Sequence, residues 1–307
     1  IYQISNDVSI YADLQLRNID YQTFGSTSNI DQLVVDKKYS FFNPKAGLNY
    51  DINQKNKIYF SLSKAHREPT RSDFENNINI QPEELIDYEL GWKYNAEKFF
   101  FNSNLYYMGY KNQLVLTGAL DDVGSPIREN SGKSYRMGIE LESVYKATNK
   151  LNISANISLS ENKNVDYKTN YNGVITDWGD TDISFSPNVI SSAGIQFNAS
   201  QDLTFTLLNK FVGNQYMSNT ESNISMLSSY STTDLNILYT IKNSAYFSEI
   251  IVTAMINNIL NKKYVSNGYY YTYDDTWSDP NSITTIEGTG YYPQAKRNFL
   301  LGLTFKL

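Results

Sequence analysis

Few residues of this 307-residue chain have the types and spacing that catalysis requires. His66 is the only histidine, and cysteine is absent. A hydrolase with histidine and serine two residues apart on one strand is excluded, because Lys64 and Glu68 occupy those positions around His66. The acidic residues show neither paired-carboxylate nor metal-ligand spacing. The sequence therefore predicts no enzyme, no catalytic residue, no metal site and no cofactor. For His66 two roles stay open. It is either an exposed histidine at the end of a strand or a ligand of haem or a metal.

The residues best suited to binding a ligand are aromatic. Tyr269–Tyr271, Tyr273 and Trp277 lie in one polar connection. Aromatic rings stack on flat ligands and sugars, and tyrosine and tryptophan also donate hydrogen bonds. For Tyr269–Tyr271, an aromatic girdle at a membrane interface is an equal alternative. Tyr273 and Trp277 are therefore the predicted ligand contacts of this segment.

Two arginines form the second group of predicted ligand contacts. Arg67 and Arg71 can attract an anionic metal chelate through charge-assisted hydrogen bonds. Alternatively, they pair with Asp73 and Glu75, which follow closely in the sequence. The sequence leaves both roles open.

Alternation of apolar and polar residues indicates the elements that position these side chains. From Leu151 to Leu159 every odd residue is apolar and every even residue is polar. The same period of two, typical of strands, recurs at 42–50, 86–94, 135–141, 189–197, 203–207, 235–241 and 299–307. With the remaining candidates, these segments give roughly twelve strands of about ten residues, the length that a tilted strand needs to cross a bilayer.

Short and long connections between the predicted strands alternate. Short turns fall near 51–56, 95–98, 148–150, 200–202 and 242–246, and longer polar segments near 21–38, 68–82, 117–131, 162–186, 214–229 and 259–290. An up-and-down outer-membrane barrel has this asymmetry, with periplasmic turns and longer extracellular loops. A β-sandwich or propeller, the rival architecture, gives no reason for it. The sequence therefore predicts an all-β, antiparallel transmembrane barrel.

Composition agrees with such a barrel. The chain has 26 Tyr, 15 Phe and 3 Trp, yet its mean hydropathy is -0.45. No run of about 20 apolar residues is present, which excludes a bundle of membrane-spanning helices. The polar strand faces carry Glu89, Arg136 and Glu140, as a water-filled or plugged lumen does, although a solvated sheet face is the alternative. The net charge of -6 argues against nucleic acid as a partner.

Several motifs resemble, in their order along the chain, those of TonB-dependent outer-membrane receptors. They are P-K-A-G-L-N-Y at 44–50, Y-F-S-L-S-K-A-H-R-E-P at 59–69, P-E-E-L-I-D-Y-E-L-G at 82–91, G-I-E-L-E at 138–142 and N-N-I-L-N-K-K-Y at 257–264. The resemblance implies that residues 1–307 form the C-terminal part of the barrel, about the last twelve of about 22 strands. The plug domain and the first strands are then expected to precede this chain.

The resemblance also implies an active-transport receptor of the bacterial outer membrane. Its ligand is expected to be scarce and bulky, first of all a ferric siderophore or another iron complex. TonB, acting through the N-terminal region outside this chain, is expected to energise import. Importers of glycan, haem or cobalamin are alternatives within the superfamily, and a passive twelve-stranded porin-like channel is another. The expected partners are outer-membrane lipid, TonB and a small molecule or metal chelate.

Overall fold

The computed structural model describes residues 1–27, 30–121, 123–171, 174–242, 246–275, 277–278 and 284–307. In chain order its strands are β1 (Tyr2–Gln3), β2 (Val8–Gly25), β3 (Leu33–Asn53), β4 (Asn56–Arg67), β5 (Glu83–Asn95), β6 (Phe99–Lys111), β7 (Leu114–Leu120), β8 (Pro126–Asn130), β9 (Lys133–Lys146), β10 (Leu151–Tyr171), β11 (Val174–Asp182), β12 (Val189–Asn198), β13 (Leu203–Val212), β14 (Gln215–Tyr216), β15 (Met226–Leu227), β16 (Tyr230–Lys242), β17 (Glu249–Asn257), β18 (Val265–Asp275), β19 (Thr284–Pro293) and β20 (Asn298–Lys306). Among the described residues the helical elements are α1 (Arg71–Asn76) and a 3₁₀ turn, Asn223–Ser225. Within those residues, no helix has the length and apolar character needed to span a membrane.

Fourteen strands form one antiparallel sheet whose order follows the chain. The order is β1-β2-β3-β4-β5-β6-β9-β10-β12-β13-β16-β17-β20, and β11 pairs with the far part of β10. The sequence predicted about twelve strands. The two additional strands are the two-residue β1 and β11, which folds back on β10 inside the predicted long connection 162–186. Of the predicted turn at 242–246, residues 243–245 lie outside the described residues.

The two ends of this order, β1 with β2 at one edge and β20 at the other, leave the sheet open. In the described part of the chain, β20 pairs with β17 alone, and the outer edge of β2 carries only the short β1. Pairing among the described residues therefore does not close a barrel.

The register separates two chemically different faces. Leu90, Leu105, Ile139 and Leu159 lie side by side on four adjacent strands. Leu90 and Leu105 expose 47% and 50% of their surface. The next residue along β9, Glu140, points to the opposite face, because successive side chains of a strand alternate. An apolar face of this extent is the lipid-facing surface of an outer-membrane barrel.

Aromatic rings border the apolar face at both ends. Near the short turns, five rings contact one another: Trp92, Tyr94, Phe99, Phe101 and Tyr145. Near the long connections, Tyr107 stacks on Tyr135 with ring centroids 6.2 Å apart. Tyr145 follows Tyr135 on β9 by about ten residues, which corresponds to a length of about 34 Å along the strand. At a strand tilt of about 40°, this length covers about 25 Å of the bilayer thickness. That distance matches the apolar band between the aromatic girdles of outer-membrane barrels.

The most completely buried apolar residues lie among the long connections. Phe74 of α1 is fully buried, and the residues packed with it are Leu33, Val35, Ile80 and Leu114, with Tyr21 and Ile30 at the edge. A capping box fixes the start of α1, since the Thr70 N–H donates to Asp73 Oδ2 at 2.7 Å. The connection after β4 is therefore packed onto the extended ends of β2 and β3 and onto β7.

A second buried cluster joins the later connections. Met217, Leu227 and Tyr270 form its centre, and Phe185 and Val265 pack against them. These residues come from the connections after β10, β13 and β17. The long connections thus form a packed assembly at one end of the sheet.

Candidate ligand-binding site

Tyr273 and Trp277, two of the predicted ligand contacts, lie together near the end of β18. Their ring centroids are 6.2 Å apart, and the ring planes differ by 11°. Tyr271 and Tyr269 continue the row of stacked rings. Trp277 is 71% exposed and Tyr273 is 41% exposed. Because β18 pairs with β19 outside the main sheet, this row is separate from the girdle and presents an aromatic surface at the loop assembly.

Arg67 and Arg71, the other predicted contacts, both have carboxylate partners. Arg67 Nη2 lies 3.5 Å from Glu83 Oε2 and donates to the Leu114 carbonyl at 3.3 Å. Arg71 Nε donates to Glu75 Oε1 at 2.6 Å within α1. The two arginine side chains remain 50% and 76% exposed. Each guanidinium is therefore held in place and still reachable by a ligand.

The β7–β8 hairpin contacts the elements near the two arginines and also the elements near the aromatic row. On one side, the Leu114 N–H donates to Glu83 Oε2 at 2.7 Å. On the other, Gly118 has a φ of +92°, and a Cβ there would lie 2.4 Å from the Met217 carbonyl and 3.3 Å from Tyr270. Only glycine permits both this conformation and this approach. Among the described residues, no hydrogen bond or ring contact joins the arginine pair to the aromatic pair.

A cavity of about 540 Å³ opens between the β7–β8 and β18–β19 hairpins. The side chains that line it are Leu116, Ala119, Leu120, Pro126, Phe185, Gln215, Ser266, Asn267 and Tyr292. None of them is charged, and none is a residue that the sequence predicted. The volume is that of a small-molecule site. The lining suits an uncharged, partly apolar portion of a ligand.

A buried amide network holds the walls of this cavity. Asn219 Nδ2 donates to the Leu116 carbonyl at 2.8 Å, and its Oδ1 accepts the Ser184 N–H at 2.9 Å. Asn164, which is fully buried, donates to the same Oδ1 at 3.3 Å. Asn219 and Leu116 are 103 residues apart in the chain. Sequence reasoning missed these residues, because no local pattern marks a contact of that range.

Glu129 and Tyr167 connect β8 to the far part of β10, which at this point pairs only with β11. The Tyr167 hydroxyl donates to the Glu129 carboxylate. Burial raises the pKa of Glu129 above its ordinary value, and the hydrogen bond from Tyr167 offsets this rise only in part. Burial also raises the pKa of Tyr167. Both groups lie outside the membrane-spanning segments.

We expect the packing of the β7–β8 hairpin to weaken as pH rises. Because the folded-state pKa of Glu129 is raised, its contribution to stability is complete below the ordinary value of 4.5 and is lost as pH rises through the folded-state value. Amide hydrogen exchange in residues 114–130, corrected for the intrinsic rate, should increase over that range. Glu129→Gln keeps an acceptor for Tyr167 and should remove the increase of exchange with pH. Glu97→Gln, the control at an exposed short turn, should leave that increase unchanged. The same increase in Glu129→Gln would contradict the assignment.

His66 differs from the expected exposed strand-end histidine. Its side chain is only 15% exposed, and its ring stacks on Phe41 with centroids 4.9 Å apart. Nδ1 lies 2.8 Å from Asn43 Oδ1 and Nε2 lies 3.2 Å from Glu84 Oε2. The expectation was wrong because these partners come from neighbouring strands. In the described residues no group of three or more His, Cys, Asp or Glu side chains is placed to hold a metal.

Comparison with known families identifies the barrel. Residues 2–259 match the model of the family described as TonB dependent receptor-like, beta-barrel. The chain belongs to this family. TonB-dependent receptor barrels lie in the bacterial outer membrane, and their members are transporters rather than enzymes. In such barrels the long connections are extracellular and the short turns are periplasmic.

Solved structures show the same fold. The siderophore receptor PiuA from Acinetobacter baumannii aligns with 99% of the chain at a TM-score of 0.74 and 17% identity. The copper transporter OprC aligns with 99% of the chain at a TM-score of 0.72 and 15% identity. The ferric yersiniabactin uptake receptor FyuA from Yersinia pestis aligns with 98% of the chain at a TM-score of 0.67 and 15% identity. The chain spans 41%, 45% and 43% of these three proteins. No curated protein sequence matched the chain.

Proposed function

We propose that this chain is the C-terminal part of the barrel of an importer of a scarce, bulky ligand, first of all a ferric siderophore or another iron complex. TonB is proposed to energise import through the N-terminal region outside this chain. The observation that carries the proposal is the cavity of about 540 Å³ held between extracellular connections. Similarity to a siderophore receptor, a ferric yersiniabactin uptake receptor and a copper transporter supports a metal complex.

The open sheet favours this proposal over a passive twelve-stranded channel. Such a channel requires β20 to pair with β2. In the part of the chain that the structure describes, β20 pairs only with β17. Additional strands are then needed to close the barrel, as the predicted N-terminal part of the receptor supplies.

A glycan is the second candidate ligand. The exposed row of Tyr273 and Trp277 supports it, because sugars stack on aromatic faces. Haem has no comparable support, since both ring nitrogens of His66 already have partners.

Uptake by the full-length receptor, produced in a strain without its own iron-chelate receptors, tests the proposed function. The probes are an iron-loaded tris-catecholate chelate, ferric citrate and a maltooligosaccharide. We expect uptake of an iron chelate that disappears when TonB is deleted. Uptake that persists without TonB would indicate a passive channel, and uptake of the oligosaccharide alone would indicate a glycan importer.

Alanine replacement of Arg67, Arg71, Tyr273 and Trp277 together should weaken binding of the transported chelate at least tenfold, or by about 1.4 kcal/mol. All four side chains are exposed at the extracellular assembly. Calorimetric titration of the purified receptor measures the change. The two double variants separate the contributions of the arginine and aromatic pairs. Unchanged affinity of the quadruple variant would remove these residues from the site.

A further inference from the structure

Two lysines lie side by side at the extracellular ends of β6 and β9. Lys111 and Lys133 are register partners, which places their Cα atoms roughly 5 Å apart. Both are exposed, and neither forms an ion pair among the described residues. Glu84, the partner of Lys111 on β5, is already bound by Lys64 at 3.1 Å and His66 at 3.2 Å. Like charges directly opposite on neighbouring strands destabilise a sheet unless something neutralises them.

The two lysines belong to the lipid-facing side of the sheet. Lys111 follows Tyr107 by four residues and Lys133 precedes Tyr135 by two, and residues an even number apart share one face of a strand. Tyr107 and Tyr135 form the extracellular girdle. The ammonium groups therefore lie just outside the girdle, at the depth of lipid headgroups.

A groove of about 640 Å³ continues from the girdle into the apolar face. Most of its wall is formed by Tyr88, Leu90, Leu105, Tyr107, Met137 and Leu159. Gly109 lies between Lys111 and the groove, and the Tyr107 ring covers it, 3.3 Å from where a Cβ would stand. Glu161 also borders the groove and interacts with the hydroxyl of Tyr135. The groove is shallow and open along the sheet face, and the backbone at Gly109 separates it from the lysines.

We propose that Lys111 and Lys133 bind the phosphate group of an anionic lipid of the outer leaflet, and that an acyl chain of this lipid occupies the groove. Two unpaired ammonium groups complement the charge of a phosphate, and basic residues at headgroup depth bind anionic lipids in this way. From the membrane surface inward, the phosphate site, the tyrosine girdle and the apolar groove lie in the same order as the headgroup and the acyl chain of a lipid. A soluble phosphate compound would leave the groove empty.

Lipid binding to the full-length receptor in detergent tests the proposal. Native mass spectrometry measures binding of bisphosphorylated lipid A and of the same lipid without its phosphates. We expect the phosphorylated lipid to bind at least tenfold more tightly. Lys111→Gln/Lys133→Gln should lose this difference, and Lys111→Arg/Lys133→Arg should keep it. Lys55→Gln/Lys98→Gln, which removes the same charge from two short turns, should behave as the wild type.

Equal affinity for the two lipids would overturn the proposal, and so would full affinity of Lys111→Gln/Lys133→Gln. Inorganic phosphate that competes with the lipid at similar affinity would also overturn it, because the groove would then contribute nothing. The comparison of the two lipids uses the wild-type receptor, so it decides the proposal even where a variant fails to fold.

Discussion

Phe74→Ala is expected to destabilise the extracellular connection after β4 by about 3–5 kcal/mol. Phe74 is fully buried, and its ring stacks on Tyr21 with centroids 5.4 Å apart. Its removal leaves a cavity between α1, β3 and β7, where Leu33 and Leu114 pack. The cost combines lost burial with the lost contacts of the surrounding side chains.

Amide hydrogen exchange of residues 71–80 and 114–120 measures this effect in the full-length receptor. Protection there should fall strongly, while protection of β12 and β13 should stay unchanged. Phe24→Ala is the matched control, because Phe24 lies in the extracellular part of β2 with 86% of its surface exposed. An equally small effect of both substitutions would show that α1 does not depend on this core.

Leu105→Arg is expected to lower the stability of the barrel in lipid by about 2–4 kcal/mol. Leu105 lies on the lipid-facing side beside Leu90 and Ile139, between the two girdles. A charge at this depth loses its hydration, and the cost falls to about 0–1 kcal/mol near the interfaces. Ile153→Arg should therefore cost much less, because Ile153 pairs with Tyr145 of the periplasmic girdle.

Urea titration of the receptor folded in lipid vesicles measures these differences. Asn156→Arg provides a control for the opposite face, because Asn156 pairs with Glu142 on the polar side. It should cost less than Leu105→Arg. A larger loss for Asn156→Arg than for Leu105→Arg would mean that the assignment of the two faces is reversed, since a slip of one residue exchanges them.

The spanning strands could be predicted because one face of each must be apolar. Residues 151–159 show this, since the predicted alternation corresponds to the register of Leu151–Leu159 with Val189–Phe197. Lipid imposes a strict period of two over such segments, and the short turns leave little freedom. The antiparallel all-β fold therefore followed from the pattern, whereas β1 and β11 did not.

The extracellular assembly could be predicted only in part. Tyr269, Tyr271 and Tyr273 are spaced by two, and the structure places their rings in one row. The cavity was not predictable, because its walls depend on contacts such as that of Asn219 with Leu116. These contacts arise from the folding of separate connections onto one another, and no local period encodes them.

The burial of His66 shows the same limit. A histidine at a strand end is exposed unless a neighbouring strand covers it. Here Phe41 and Asn43 of β3 and Glu84 of β5 provide the cover. Their positions relative to His66 depend on the register of three strands.

The central claim is that the extracellular connections of this chain bind the ligand of an importer. Hydrogen exchange of the full-length receptor, with and without a saturating ferric tris-catecholate or ferric citrate that it transports, tests this claim most directly. We predict added protection in residues 114–130 and 265–275, which border the cavity, and none in the spanning parts of β12 and β13. TonB-dependent uptake of the chelate with no change in protection of either connection would contradict the claim.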